Sequence, residues 1–280
     1  MSDMPGGPTP PPPPPPPGTP PGAGGLRPRT LGEILSAAFE IYKANASKLL
    51  VIVAIVVVPL SLIGALIGEA IEGETTTDEF GNVQLESQDW FAFFLGLAVV
   101  ALVYVIISAI LQAAMMRAAA LATIGDPVDV ERSYRWGLGR FGPVILVAFL
   151  VGLAIFVGIF LILIGAIVFA TFLAVSIPAL VIENRRGTDA LKRSWNLVSG
   201  SFWHVLGVII VSALITGVVS GLIGGIGGDN WFVAWIFTAI AQIVTAPYAA
   251  LVSVLLYLDL RARKEALTAD SLRGELASNA

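Results

Sequence analysis

The side chains able to do chemistry are few in this chain, and their types point to binding rather than to catalysis. A nucleophile, a general base or a metal site needs thiolates, imidazoles or paired carboxylates converging on one reacting atom. The sequence has no cysteine and a single histidine, His204. Thiolate sites, His-pair metal sites, cysteine nucleophiles and disulfides are therefore excluded. Asp126, Asp129, Glu131, Glu183 and Asp189 border apolar runs, where a membrane-surface enzyme could use them, while the carboxylates of the acidic loop between Glu69 and Asp89 lack metal-ligand spacing. The expectation is a chain with no catalytic residue, no metal, no cofactor and no nucleic-acid partner.

What does recur is a basic-aromatic motif. Arg132-Ser133-Tyr134 is followed by Gly139 and Phe141; Arg193-Ser194-Trp195 is followed, at identical spacing, by Gly200 and Phe202. A fainter copy places Ala38-Phe39 and Ala44 at matching positions before the run from Leu49. Arginines beside aromatics at a helix–membrane boundary suit lipid phosphates, with the rings at headgroup depth. Arg132, Ser133, Tyr134, Arg193, Ser194 and Trp195 are thus the candidate lipid-facing residues; the competing reading is a topological anchor without lipid selectivity.

The elements that position these motifs follow from hydropathy. Hydrophobic residues form 56% of the chain and charged residues 13%, against about a quarter charged in soluble domains. Thr30 to Ser47 reads as an amphipathic helix opened by a Thr30/Glu33 capping box, and the run from Leu49 to about Glu69 is long enough to span. Trp90 and Phe91 open a second span, from whose far end Arg117 can snorkel to the surface. Asp126-Pro127 caps a second amphipathic segment. Val144 to Ile182 contains no ionisable residue and is roughly twice the length one span needs, so a reversal is expected between Gly158 and Gly165. A third amphipathic segment, Thr188 to His204, precedes the spans Val205–Ile226 and Trp231–Arg261. The fold class is all-α integral membrane: six transmembrane helices as three repeats of an amphipathic interfacial helix plus a helix pair, with 30–46, 128–141 and 188–203 along the surface.

All 16 Lys and Arg lie in the N-terminal region, the two amphipathic connections, the C-terminal tail or at Arg117. The positive-inside rule then places both termini in the cytoplasm, in the cell membrane. Residues 1–28 form a disordered Pro/Gly-rich cytoplasmic tail in which Pro10 to Pro17 could dock a proline-recognising cytosolic partner. Residues 29–262 form the membrane domain and 263–280 a polar cytoplasmic tail. Gly217, Gly221 and Gly225, and Gly64 with Gly68, make small-residue ridges for close helix packing, or for homo-oligomerisation. Gln112, Gln242, Thr245, Ser176 and Thr216 either hydrogen-bond between helices or line a path for solute.

Leu31-Gly32-Glu33-Ile34-Leu35, Pro178-Ala179-Leu180-Val181, Ala190-Leu191-Lys192-Arg193-Ser194-Trp195 and Tyr257-Leu258-Asp259-Leu260-Arg261-Ala262-Arg263 together resemble a broad group of uncharacterised bacterial multi-pass proteins. The resemblance covers roughly residues 27–265. That group includes the membrane domain attached to some bacterial glycerophosphodiester phosphodiesterases, which implies a helical membrane fold. No barrel with the phosphodiesterase His and carboxylate ligands follows the spans in this sequence, so the resemblance is to the membrane part alone. The expected role is a non-catalytic membrane protein that organises the envelope or binds a partner or lipid. The alternative is a transporter or channel for a small or lipidic solute.

Overall fold

The computed structural model describes residues 27–73, 75–77, 83–85, 90–160, 164–228, 230–265 and 267–278. The tail expected at 1–28, with its proline run, lies almost wholly outside these residues. Among the described residues there are nine α-helices: α1 Leu31–Gly73, α2 Trp90–Thr123, α3 Val130–Phe160, α4 Ile164–Phe172, α5 Ser176–Glu183, α6 Thr188–Val198, α7 Phe202–Gly224, α8 Trp231–Lys264 and α9 Ala269–Ser278. Among the described residues the only strand pairing is the antiparallel hairpin Thr75–Thr77 with Val83–Leu85, between α1 and α2. Six helical segments are long and apolar enough to cross a membrane: α1, α2, α3, α4 with α5, α7 and α8.

Two of the three amphipathic segments are not separate surface helices. Residues 30–46 continue into span one as the unbroken α1, and 128–141 into span three as α3. The cause is phase. Ile34, Ala38, Ile41, Leu49, Ile52, Val53 and Val57 are all buried, a helical spacing that holds across the junction, so nothing turns the chain aside. Only the third segment stands apart as α6. There Ser199-Gly200 interrupts the backbone, with Gly200 at φ 88°, a left-handed conformation that glycine adopts without penalty.

Helix starts depend on local capping. The Thr30 amide donates to Glu33 Oε2 at 2.8 Å, as the capping box requires. α3 is capped by Asp129, whose Oδ1 accepts from the Arg132 amide at 2.8 Å, rather than by the expected Asp126. Asn230 caps α8, accepting from the amides of Phe232 and Val233.

α1 packs along α8, α2 against α3, and α7 against α8. The densest core lies where the charged residues gather: Ile34, Leu49, Leu180, Ile182, Leu197, Leu251, Leu255, Tyr257 and Leu260 are almost wholly buried. Further along the spans Leu102, Phe149, Phe156, Leu214 and Leu222 are 57–70% exposed. An apolar belt of this extent needs lipid as its solvent. Span four is broken at 173–175, so α4 and α5 are two short helices. The reversal between α3 and α4 falls where it was expected: a Cβ on Gly158 would sit 2.7 Å from the Ala166 amide nitrogen, so only glycine fits. α8 runs to Lys264, and α9 folds back with Leu272 and Leu276 buried.

The glycine ridges behave differently from expectation. A Cβ on Gly64, Gly217, Gly221 or Gly225 would meet nothing within 4 Å, so these glycines make no close packing inside the chain; the surroundings of Gly68 are outside the described part. The close approaches are at Gly137, where a Cβ would meet the Ile110 carbonyl oxygen at 2.9 Å, and at Gly227 against Ala234.

Candidate anion-binding site at the basic end

The two motif copies sit in two neighbouring polar clusters. In the later copy, Arg193 leaves α6 with its side chain only 18% exposed and reaches Glu183 and Glu265, each at 2.6 Å. Glu183, at the end of α5, also accepts from the Tyr257 hydroxyl of α8 and pairs with Arg185 at 3.0 Å. Arg261, one helical turn beyond Tyr257, grips Glu275 of α9 with both terminal nitrogens, at 2.7 and 2.9 Å. Such bidentate guanidinium–carboxylate pairs combine strength with fixed geometry. Burial pulls the Arg193 guanidinium toward deprotonation, but its bonds to Glu265 and Glu183 outweigh that and hold its pKa above the ordinary value. The bond from Arg193 holds the Glu265 carboxyl below the usual carboxylate range, against the opposing effect of burial. Every cation in this cluster faces a carboxylate.

Ser194 and Trp195 do not face lipid as a pair. Ser194 is fully buried; its hydroxyl donates to the Phe172 carbonyl at 2.7 Å and accepts from the Val175 amide at 3.3 Å. It thus closes the backbone gap between α4 and α5, which otherwise leaves orphan groups. Trp195 stacks on Phe172, ring centroids 4.0 Å apart, and is 40% exposed.

The earlier copy is built otherwise. Ser133 is fully buried and donates to the Asp129 carbonyl of its own helix at 2.7 Å. The Tyr134 hydroxyl donates to the Ile52 carbonyl of α1, which ties its tip to the neighbouring helix rather than to lipid. Arg132 faces the other way. Helical spacing puts Arg132, Arg135, Trp136, Gly139 and Arg140 on one side of α3, and they line an open cavity of about 550 Å³ with Arg117 of α2 and Arg186 of the α5–α6 loop. Five guanidiniums line this cavity and no carboxylate does. Arg117 is the inner wall. It is 4% exposed, not snorkelled to the surface as expected, and its Nε and Nη1 have no hydrogen-bond partner. Its guanidinium lies 5.1 Å from the Trp136 ring centre, and that of Arg140 lies 4.4 Å from it.

A third cluster holds the N-terminus of α1 to α8. Asp259 is buried; its Oδ2 accepts from Arg263 at 2.8 Å and lies 3.1 Å from His204 Nε2, and its Oδ1 accepts from the Arg29 amide. The lone histidine is thereby a structural partner of Asp259. Among the described residues no group of three or more His, Cys, Asp and Glu could hold a metal ion.

Sequence reasoning reached Arg132 and Arg193 through the repeat, and missed Arg117, Trp136, Arg140 and Arg186 as their surroundings. The i, i+4, i+8 spacing of Arg132, Trp136 and Arg140 was a usable signal. The approach of Arg117 and Arg186 was not, because each comes from another element.

The fold and this basic end define a six-span α-helical integral membrane protein with three polar clusters where the spans emerge. The chain belongs to the family described as Domain of unknown function (DUF7847), whose model matches residues 30–258. Neither the curated proteins nor the solved structures yield a match to this chain.

Proposed function

We propose that the chain is a non-catalytic protein of the cell membrane that works by binding at its basic face, with that face and both termini in the cytoplasm. The observation that carries the reading is the division of polarity along the spans. At membrane depth two cavities are walled mostly by apolar side chains: one lies between α1, α7 and α8 around Phe39, Ile215 and Val244, with Thr216 and Thr245 in its lining, and another lies beside Tyr104, Ala148 and Phe149, with Ser108 and Gln112 in its lining. Thr216 and Thr245 spend their hydroxyls on the carbonyls of Ser212 and Ala241, and Gln242 is exposed on the outer surface. Polar chemistry collects instead at the basic end. A carrier would need polar groups at midplane to replace a solute's hydration; the break in span four between α4 and α5 is closed by Ser194.

The resemblance to the membrane part of glycerophosphodiester phosphodiesterases is compatible with this reading and supplies no catalytic group. The test is reconstitution in liposomes. Fluorescent-lipid exchange between leaflets and release of entrapped phosphate should match protein-free vesicles, and glycerophosphodiesters should remain intact with divalent metal present. Protein-dependent exchange or release would favour the transporter alternative, and hydrolysis abolished by Glu183→Ala would make the chain an enzyme. Orientation is checked separately: Thr188→Cys should be shielded from impermeant label in intact cells and Asn230→Cys should react.

A further inference from the structure

We propose that the cavity around Arg117 is a binding site for a phosphate-bearing anion that carries no positive charge of its own. The argument starts from an imbalance. Two other buried or half-buried arginines are matched: Arg193 by Glu183 and Glu265, Arg261 by Glu275 and Glu265. Arg117 is more deeply buried than Arg193 and has no carboxylate; Arg132 and Arg140 add positive charge around it. Within the cavity lining, Arg135 pairs with Glu131 at 2.6 Å. Both of those side chains are about four-fifths exposed, so that pair does little to neutralise the interior.

Burying a guanidinium with two nitrogens unsatisfied is costly unless something accepts from them. The face of Trp136 offers cation–π attraction but no acceptor in the plane of the N–H groups. An oxyanion does. Phosphate oxygens match the guanidinium fork, and several arginines can share one phosphate. The cavity, at about 550 Å³, exceeds what a bare phosphate ion fills and has room for a headgroup or a small phosphomonoester. At Gly139 the lining has no side chain, and the space in front of it is open. Five guanidiniums repel an attached ammonium, so zwitterionic phosphodiesters are poor occupants. An anionic lipid headgroup and a soluble phosphomonoester share the required chemistry.

This inference deepens the binding reading by naming a ligand class, and its failure is separable: liposome flux would sink the non-transport reading and leave this site standing. The experiment uses the full chain in phosphatidylcholine nanodiscs. One arm titrates dioctanoyl phosphatidic acid and counts bound lipid by native mass spectrometry. The other titrates glycerol 3-phosphate and inorganic phosphate by calorimetry. Saturable binding in at least one arm is expected, weakened about tenfold or more by Arg117→Gln and unchanged by Arg185→Gln, whose side chain belongs to the neutralised cluster. Binding confined to the lipid arm identifies the membrane as the source; binding in the soluble arm identifies a free phosphate compound. The same ligand should raise the thermal midpoint of the native chain and not that of Arg117→Gln. If Arg117→Gln does not insert, the pair Arg132→Gln and Arg140→Gln takes its place with the same criterion. No saturable binding to the folded native chain in either arm, or equal binding by the variant, overturns the proposal.

Discussion

The two copies of the Arg-Ser-aromatic motif have the same local chemistry and opposite surroundings. Arg193 is met by carboxylates arriving from α5 and the end of α8, inside a cluster that α9 completes with Glu275. Arg132 is met by Arg117 from α2 and Arg186 from the α5–α6 loop, with no carboxylate in the cavity lining. The serines differ as well: Ser194 bridges two helices across a broken span, while Ser133 bonds only its own helix. A repeated motif therefore specifies a position at the membrane boundary. Its charge state and its role are set by what the rest of the chain brings to it. One copy has become a joint, and the other an electropositive cavity.

The comparison can be broken most forcefully at Glu183. Glu183→Ala strips the carboxylate shared by Arg193, Tyr257 and Arg185 and leaves half-buried cations unmatched. A loss of about 3–5 kcal/mol is expected, as when one partner of a buried pair is removed; thermal unfolding in lipid-detergent micelles measures it. If the joint were dispensable, that variant would melt with the native protein.

A smaller contrast lies in the serines. Ser194→Ala leaves the Phe172 carbonyl and the Val175 amide without their partner, at about 1–3 kcal/mol. Ser133→Ala removes an intrahelical bond to a carbonyl that already serves the helix, and should cost under about 1 kcal/mol. Equal midpoint shifts for the two variants would show that the motif copies carry the same load.

The equivalent glycines differ in sign. Gly200→Ala forces an L side chain into φ 88° and should destabilise by about 1–2 kcal/mol. Gly139→Ala sits in continuous helix with open space around it and should stabilise by about 0.5–1 kcal/mol. Both are read from the same unfolding series.

The smallest effect is a titration. Hydrogen bonding to Arg193 depresses the folded pKa of Glu265. Its contribution is then present above the unfolded carboxylate value of about 4.3 and fades as the pH falls through the lower folded value. Partial exposure of Glu265 keeps it to a fraction of a kcal/mol. Glu265→Gln should flatten the acid limb of the stability–pH curve slightly, and Arg135→Gln, in the other copy, should leave it unchanged.

Much of this was legible from composition and periodicity. The six spans, the capping box at Thr30 and Glu33, the Gly158 reversal and the placement of both motifs at one end follow from hydropathy and turn chemistry acting over a few residues. The helix boundaries were less legible. Whether an amphipathic segment bends off or runs on depends on the phase of its apolar stripe relative to the next span, and α1 and α3 keep phase where α6 does not. The glycine ridges were misplaced because spacing marks a smooth helix face without saying whether a neighbour covers it: Gly217 and Gly221 face outward, and Gly137, Gly158 and Gly227 are the ones pressed against neighbouring backbone.

By itself, then, the sequence determined that this chain lives in a membrane, how often it crosses, and that its arginines collect where the helices emerge. Those outcomes depend on the transfer of side chains between water and hydrocarbon, which acts on each segment independently. Only the tertiary structure decided which arginine meets a carboxylate and which meets other arginines. Coulomb interactions act over a few ångströms between residues far apart in the chain, and Arg132 lies beside Arg117 and Arg186 only because α2, α3 and the α5–α6 loop converge there.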